Sequence, residues 1–252
     1  MQSRPMGRVL IIAGSDSGGG AGIQADIKTI TMLGGYAMTA ITAVTAQNTT
    51  GVTMVEALSP EMVGAQIDAC LSDIGVDAVK IGMLGSPEIA RVVADRLEGV
   101  SAPVVFDPVM VATSGSVLAD EATVSAFDRL MKLATLTTPN VHELAALGGR
   151  EAMTGRGVAY LAKGGDAEGS EVEDVLVRLG EADRTWRSTR IETRHTHGTG
   201  CTLSSAIATL LGKGLPLEQA VTEAREFVRK ALLAAPGFGA GHGPMGHCRV
   251  TQ

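Results

Sequence analysis

The chain has 252 residues, of which 45% are hydrophobic, only seven are aromatic (four Phe, two Tyr, one Trp) and 32 are glycine. Its 21 Lys and Arg against 27 Asp and Glu give a net charge of −6, the wrong sign for a polyanionic partner, and so few rings leave no base-stacking platform. Nucleic-acid binding is thereby excluded, as are disorder, because the chain is too apolar, and a collagen-like repeat, because glycine shows no period of three.

In chain order, Val9 to Ala13 is an apolar run that reads as a fully buried first strand. A helix follows, with Ile23, Ile27, Ile30 and Leu33 at helical spacing and Gly34-Gly35 as its stop. An apolar strand ends at Gln47. The stripe Val63, Ile67, Leu71, Ile74 after Pro60 is helical, and so is Ile89, Val93, Leu97 after the cap Ser86-Pro87. Strands are expected at Ala78 to Ile81, Val104 to Phe106, Leu136 to Thr138 and Val158 to Ala162. Val172 to Ile191, broken by Gly180, reads as an antiparallel edge, before helices at Thr202–Leu211 and Leu217–Ala234. Strands alternating with helices predict an α/β fold: a mostly parallel central sheet with helices on both faces. No linker or internal repeat divides residues 1–252, so one domain is expected.

No apolar run approaches the roughly 20 residues of a membrane helix, so no membrane partner is expected. The opening MQSRPMGRVLIIAGSDSG lacks a signal-peptide pattern, and Cys70, Cys201 and Cys248 are too few and scattered for a disulfide framework or zinc site. Both observations point to the cytoplasm.

Ligands of open α/β sheets sit at the carboxyl ends of strands, where Gly14, Gly82, Asp107, Thr138 and Lys163 all fall. Gly14 to Gly22 holds five glycines in nine residues, suited to a backbone that touches ligand. It lacks the Gly-Lys-Ser/Thr ending of a Walker loop. As a dinucleotide fingerprint it would need a third small residue at position 23, which is Ile23. HTHGTGCT, His195 to Thr202, opens a helix, and the free amides of Gly198, Thr199, Gly200 and Cys201 suit a developing phosphoryl charge. The same positive helix end is expected to lower the Cys201 pKa and favour thiolate. Asp107 with Glu143 suits water-mediated Mg²⁺ beside phosphates, Lys163 suits phosphate charge, and the Gln47 amide suits an aminopyrimidine-like edge. His195 and His197 lack a third metal ligand nearby, His142 reads as surface, and His242 and His247 fall in a glycine-rich closing loop.

Taken together, GSDSGGGAGIQAD, TAVTAQNT, KIGML, FDPVM, TPN-x-x-E, KGG, THGTGCTLS and GHGP run in this order over almost the whole chain. The set closely resembles the hydroxymethylpyrimidine/phosphomethylpyrimidine kinases of thiamine biosynthesis, within the ribokinase-like superfamily. The resemblance implies a three-layer sandwich that uses ATP and Mg²⁺. The implied reaction phosphorylates 4-amino-5-hydroxymethyl-2-methylpyrimidine and then its monophosphate, giving the diphosphate. It implies that Gln47 pairs with the pyrimidine, with Gly14, Asp26 and Met83 lining the same pocket. Cys201 would be the base, with the amides of Gly198, Thr199 and Gly200 holding the transferring phosphate. Lys163, Asn140 and Thr199 would face the nucleotide, with Asp107 and Glu143 near the metal; a homodimer is expected on the same ground.

The sequence departs from the family between Glu143 and Lys163, where LAALGGREAMTGRGVAYLA is short for an additional helix before the KGG strand. That shortening keeps open a module that binds a pyrimidine phosphate without turnover; a pyridoxal kinase on the same scaffold is the other alternative, because that activity occurs among close relatives and both substrates are small hydroxymethylated heteroaromatics.

Overall fold

The predicted first strand forms the middle of β1 (Arg8–Asp16), in a computed structural model that describes residues 6–111, 115 and 118–250. Alternation along β1 explains the layers that surround it. Leu10 and Ile12 join one apolar cluster and Val9, Ile11 and Ala13 the other, so the strand is covered on both faces. β2 (Tyr36–Asn48) and β4 (Ala78–Ile81) pair with β1 in parallel. β5 (Val104–Phe106), β6 (Leu136–Thr137) and β7 (Tyr160–Ala162) continue in parallel, in the order expected of crossover connections.

Three antiparallel strands finish the sheet. β3 (Gly51–Ala57) folds back on β2 at one edge, and β8 (Glu171–Val177) with β9 (Arg184–Thr189) forms the other, giving the order β3-β2-β1-β4-β5-β6-β7-β8-β9. Gly180, in the turn between β8 and β9, has φ +76°, the left-handed region that glycine enters without steric cost.

One helical layer contains α2 (Pro60–Ala69), α3 (Pro87–Leu97) and α4 (Glu121–Leu133), whose Val63, Val93 and Phe127 join Leu10 and Ile12. The opposite layer contains α1 (Gly22–Met32), α7 (Thr199–Gly212) and α8 (Leu217–Leu233), whose Ile30, Ile207 and Val221 pack on Val9 and Ile11. The Ser86 hydroxyl accepts from the Ile89 amide at 3.2 Å, capping α3 as its sequence predicts.

Five details differ from what the sequence predicts. Ile27 of the α1 stripe is exposed, because the buried face of that helix turns through Ala25 and Asp26 instead. The α2 stripe does not continue helically: Leu71 and Ile74 fall in a π turn, Cys70–Ile74, and Ile74 is exposed. α4, capped by the Asp120 carboxylate on the Thr123 amide, and the exposed β3 were not foreseen. The short 144–162 segment does hold an extra helix. α5 (Val141–Ala146) and α6 (Gly149–Gly155) are each under two turns long, joined through left-handed Gly148 and Gly149.

Candidate active site

The carboxyl ends of β1, β2, β5 and β7 open on a cavity of about 830 Å³. Of the residues singled out from sequence, Gly14, Gln47, Met83, Asp107, Asn140, Glu143, Lys163, Gly198, Thr199, Gly200 and Cys201 all line it. Asp26 does not. It is fully buried, with Lys80 Nζ 2.8 Å from its Oδ2 and the Ser205 hydroxyl donating to its Oδ1 at 2.6 Å. The physical reason is the rotation of α1, which turns this carboxylate inward toward Lys80 of β4. Asp26 therefore sits under the site and does not face it.

At the acceptor end, Asp16 gathers the glycine loop. Its Oδ1 accepts from the Gly18 amide at 2.8 Å, and its Oδ2 from those of Gly20 and Ala21 at 3.0 and 2.8 Å. His197 Nε2 lies 2.9 Å from the same Oδ2 and 3.1 Å from the Gln47 side-chain amide. Burial alone would raise the Asp16 carboxyl, but the His197 hydrogen bond and these amides bring it below its usual range. Packing explains the glycines: a Cβ on Gly20 would collide with the His197 ring, and one on Gly198 with the Gly20 carbonyl oxygen. The loop and the start of α7 are thus in backbone contact.

Cys201 lies in the first turn of α7, behind an N-cap at Gly198 with φ +84°. Its thiol corrects the expectation of a thiolate. Burial pushes its pKa up to about 11; Lys80 opposes this, while Asp26 and Asp107 reinforce it. Desolvation outweighs the helix end here, and the resting group is the neutral thiol.

At the opposite end, Lys163 Nζ is 2.7 Å from Asp107 Oδ1 and 3.8 Å from Glu143 Oε2. The Thr138 hydroxyl donates to Asp107 Oδ1 at 2.9 Å. Burial would raise the Asp107 carboxyl, yet Lys163 and Lys80 hold it below the ordinary range. Glu143 is buried rather than a solvated helix charge. It closes a capping box with Asn140, each side chain accepting from the other's amide at 2.8 Å. Burial raises its pKa to about 7, against the pull of Lys163.

Asp16, His197 and Lys80 escaped the sequence reading. The Asp-x-Gly spacing of Asp16 and Gly18 carried a usable signal, since it is the pattern of a side chain folding back on its own loop. His197 and Lys80 carried none, because their partners lie 181 and 54 residues away. The histidine of the closing loop also differs: His247 is buried against the Thr202 hydroxyl at 2.8 Å, and burial lowers its pKa to about 4.

A model of the family described as Phosphomethylpyrimidine kinase matches residues 16–246 of the chain. A hydroxymethylpyrimidine/phosphomethylpyrimidine kinase of Rhizobium meliloti (strain 1021) is 47% identical over 261 residues, covering 94% of this chain and 96% of the relative. Among solved structures, an ADP complex of Bacillus subtilis pyridoxal kinase matches with a TM-score of 0.88 at 34% identity, over 96% of this chain and 98% of that one. A phosphomethylpyrimidine kinase of Clostridium difficile 630 matches with a TM-score of 0.77 at 37% identity, over 89% of this chain and 98% of that one.

Proposed function

The chain belongs to the phosphomethylpyrimidine kinase family, with the ribokinase-like fold of its structural relatives, and from that premise we propose the reaction it carries out. It phosphorylates 4-amino-5-hydroxymethyl-2-methylpyrimidine with ATP, then the monophosphate, in thiamine biosynthesis. The observation that carries this reading is one cavity bearing a hydrogen-bonding amide, Gln47, at one end and the Asp107–Lys163 pair at the other. The first turn of α7, with Cys201, lines the same cavity.

Each residue has a task in that reading. Gln47 orients the ring so that its hydroxymethyl oxygen lies near Cys201, with Gly14 and Met83 as walls. That oxygen forms the new bond to the γ-phosphorus while the bond from phosphorus to the ADP oxygen breaks. The amides of Gly198 and Gly200 stabilise the charge on the transferring group, whereas the Thr199 amide, expected to be free, donates to the Thr196 carbonyl at 3.2 Å. Lys163 holds nucleotide phosphate charge, and Asn140 and Thr199 flank it. Cys201 takes the hydroxymethyl proton from its thiolate fraction, which its raised pKa keeps small at neutral pH.

Asp107 and Glu143 fit a Mg²⁺ carried mainly by phosphates and water. Among the described residues, Asp107 Oδ2 has a single hydrogen bond, at 3.4 Å from Ser204, and no group of three ligating side chains forms a complete protein cage. Bound there, the ion would offset charge on the phosphates.

The continuous nine-stranded sheet supports one catalytic domain. Among the described residues no helix is long and apolar enough to cross a membrane. Three free cysteines and an ATP-dependent reaction support a cytoplasmic site of action. Val44 and Met54, exposed on one face of the β2–β3 hairpin, support a homodimer through that face, and light scattering at the monomer mass would remove it.

The test of function is purified chain with ATP-Mg²⁺ and three acceptors: the hydroxymethylpyrimidine, its monophosphate and pyridoxal. Both pyrimidines should be phosphorylated. Turnover of pyridoxal alone assigns the chain to the other activity seen on this fold, and binding of the pyrimidines without turnover makes it a carrier.

A further inference from the structure

The contact between Gln47 and His197 contains more information than its length. Asp16, ionised and acceptor-only, lies 2.9 Å from His197 Nε2, so that nitrogen carries a hydrogen. The Gln47 nitrogen, 3.1 Å from the same Nε2, would then set donor against donor. The other end of the amide is mismatched in the same sense. Thr45 gives its one hydroxyl hydrogen to the Ser15 carbonyl at 2.8 Å, leaving only a lone pair for the Gln47 oxygen 3.3 Å away. Oxygen and nitrogen of a carboxamide are nearly equal in shape, and hydrogen bonding alone assigns them. A half-turn of the Gln47 amide removes both like-with-like contacts: its oxygen shares the Nε2 hydrogen of His197 with Asp16 in a bifurcated bond, and its nitrogen donates to Thr45.

We infer that His197, fixed by Asp16, and Thr45 lock the Gln47 amide in this turned orientation and so determine which heteroaromatic edge the acceptor site takes. The locked amide keeps one oxygen lone pair on the His197 side and one N–H on the Thr45 side. That ordered pair matches a 4-aminopyrimidine, whose amino group donates and whose adjacent ring nitrogen accepts. A 4-oxopyrimidine presents the reverse order, a carbonyl beside a ring N–H, and meets two like-facing contacts. His197 is a positioning residue here, acting through Gln47. The inference rests on the reading of Gln47 as the pyrimidine contact.

The test is calorimetric binding of two probes to the full chain: 4-amino-5-hydroxymethyl-2-methylpyrimidine and its 4-oxo counterpart. Wild type should prefer the amino form by about 10²-fold, because a site built for one hydrogen-bond order leaves buried groups unpaired against the other. His197→Phe frees the amide to turn, so the preference should fall to about threefold, chiefly by tighter binding of the oxo form. A role in packing alone would weaken both probes equally. His197→Asn, which keeps an N–H donor toward Asp16 and Gln47, should restore most of the preference. Thr45→Val removes the other lock and should reduce the preference without touching α7, which covers the case of a His197→Phe chain that does not fold. A wild type that binds both probes equally, or a preference unchanged in His197→Phe and in Thr45→Val, overturns the inference. Preference without phosphorylation leaves the lock standing and removes the kinase reading; phosphorylation without preference does the reverse. Failure to bind either probe overturns both.

Discussion

Two lysine–aspartate pairs of nearly equal length stand in this molecule and differ in access. Lys80 and Asp26, 2.8 Å apart, have side chains 0% exposed, and of the two only Lys80 borders the cavity; Lys163 and Asp107, 2.7 Å apart, are 12% and 1% exposed, with both residues on the cavity wall. The sealed pair sits between α1 and β4 beneath the acceptor end, where burial opposes both charges; the contact outweighs it for Lys80 and only partly offsets it for Asp26, whose carboxyl stays above its usual range. The open pair stands where we propose that phosphate charge is handled. On the proposed function, the same two residue types would serve as a strut in one place and as a reactive pair in the other, with access separating the roles.

The thiol between the two pairs gives the largest expected effect. Cys201→Ala should lower kcat by about 10²–10⁴, the range for loss of a general base. Because the thiol pKa is about 11, wild-type kcat should climb with pH from 7 to 9, and the variant's should not. A flat wild-type profile over that interval removes thiolate from the reaction.

Next come the pairs themselves. Lys80→Met strands a buried carboxylate and should cost about 3–5 kcal/mol in denaturant unfolding, whereas Lys80→Met with Asp26→Leu should recover most of it. Lys163→Met should cost about 1–2 kcal/mol, since Thr138 still donates to Asp107, yet reduce kcat about 10²–10³-fold. Equal stability losses in the two single variants would erase the distinction between strut and reactive pair.

The smallest effect belongs to Glu143. Its folded pKa of about 7 lies above the unfolded carboxylate value, so the native state holds the extra proton between those limits. That contribution is fully present below the unfolded pKa and is lost as pH rises through about 7. Midpoints of unfolding at pH 5 and pH 8 should therefore differ less in Glu143→Gln than in wild type. An identical difference in both proteins assigns the slope to other groups.

The sequence carried the frame well because its strands are buried on both faces and read as unbroken apolar runs. Ala78–Ile81 and Val104–Phe106 agree with β4 and β5 to the residue. β3 was invisible because its Gly51–Ala57 side chains are mostly exposed and show no alternation. α4 was readable in principle from the Asp120 cap and the spacing of Thr123, Phe127, Leu130 and Met131. In the site, Gln47, Cys201, Asp107 and Lys163 announced themselves by position at element ends. Lys80 did not, since a lysine inside a four-residue apolar strand has no local mark of its buried partner. The Cys201 thiolate was misjudged because a helix end is a local feature, whereas burial depends on everything packed around it.

The tail from Gly237 onward also bears on the order of assembly. His197 bridges to Pro244, the Gly241 amide reaches the Thr49 hydroxyl at 3.3 Å, and His242 lines the cavity. These residues follow all nine strands in the chain. On a ribosome, both apolar layers are therefore translated before the wall that holds His197 in place exists. Loss of that segment would therefore remove the brace on His197 while leaving every strand of the sheet in the chain.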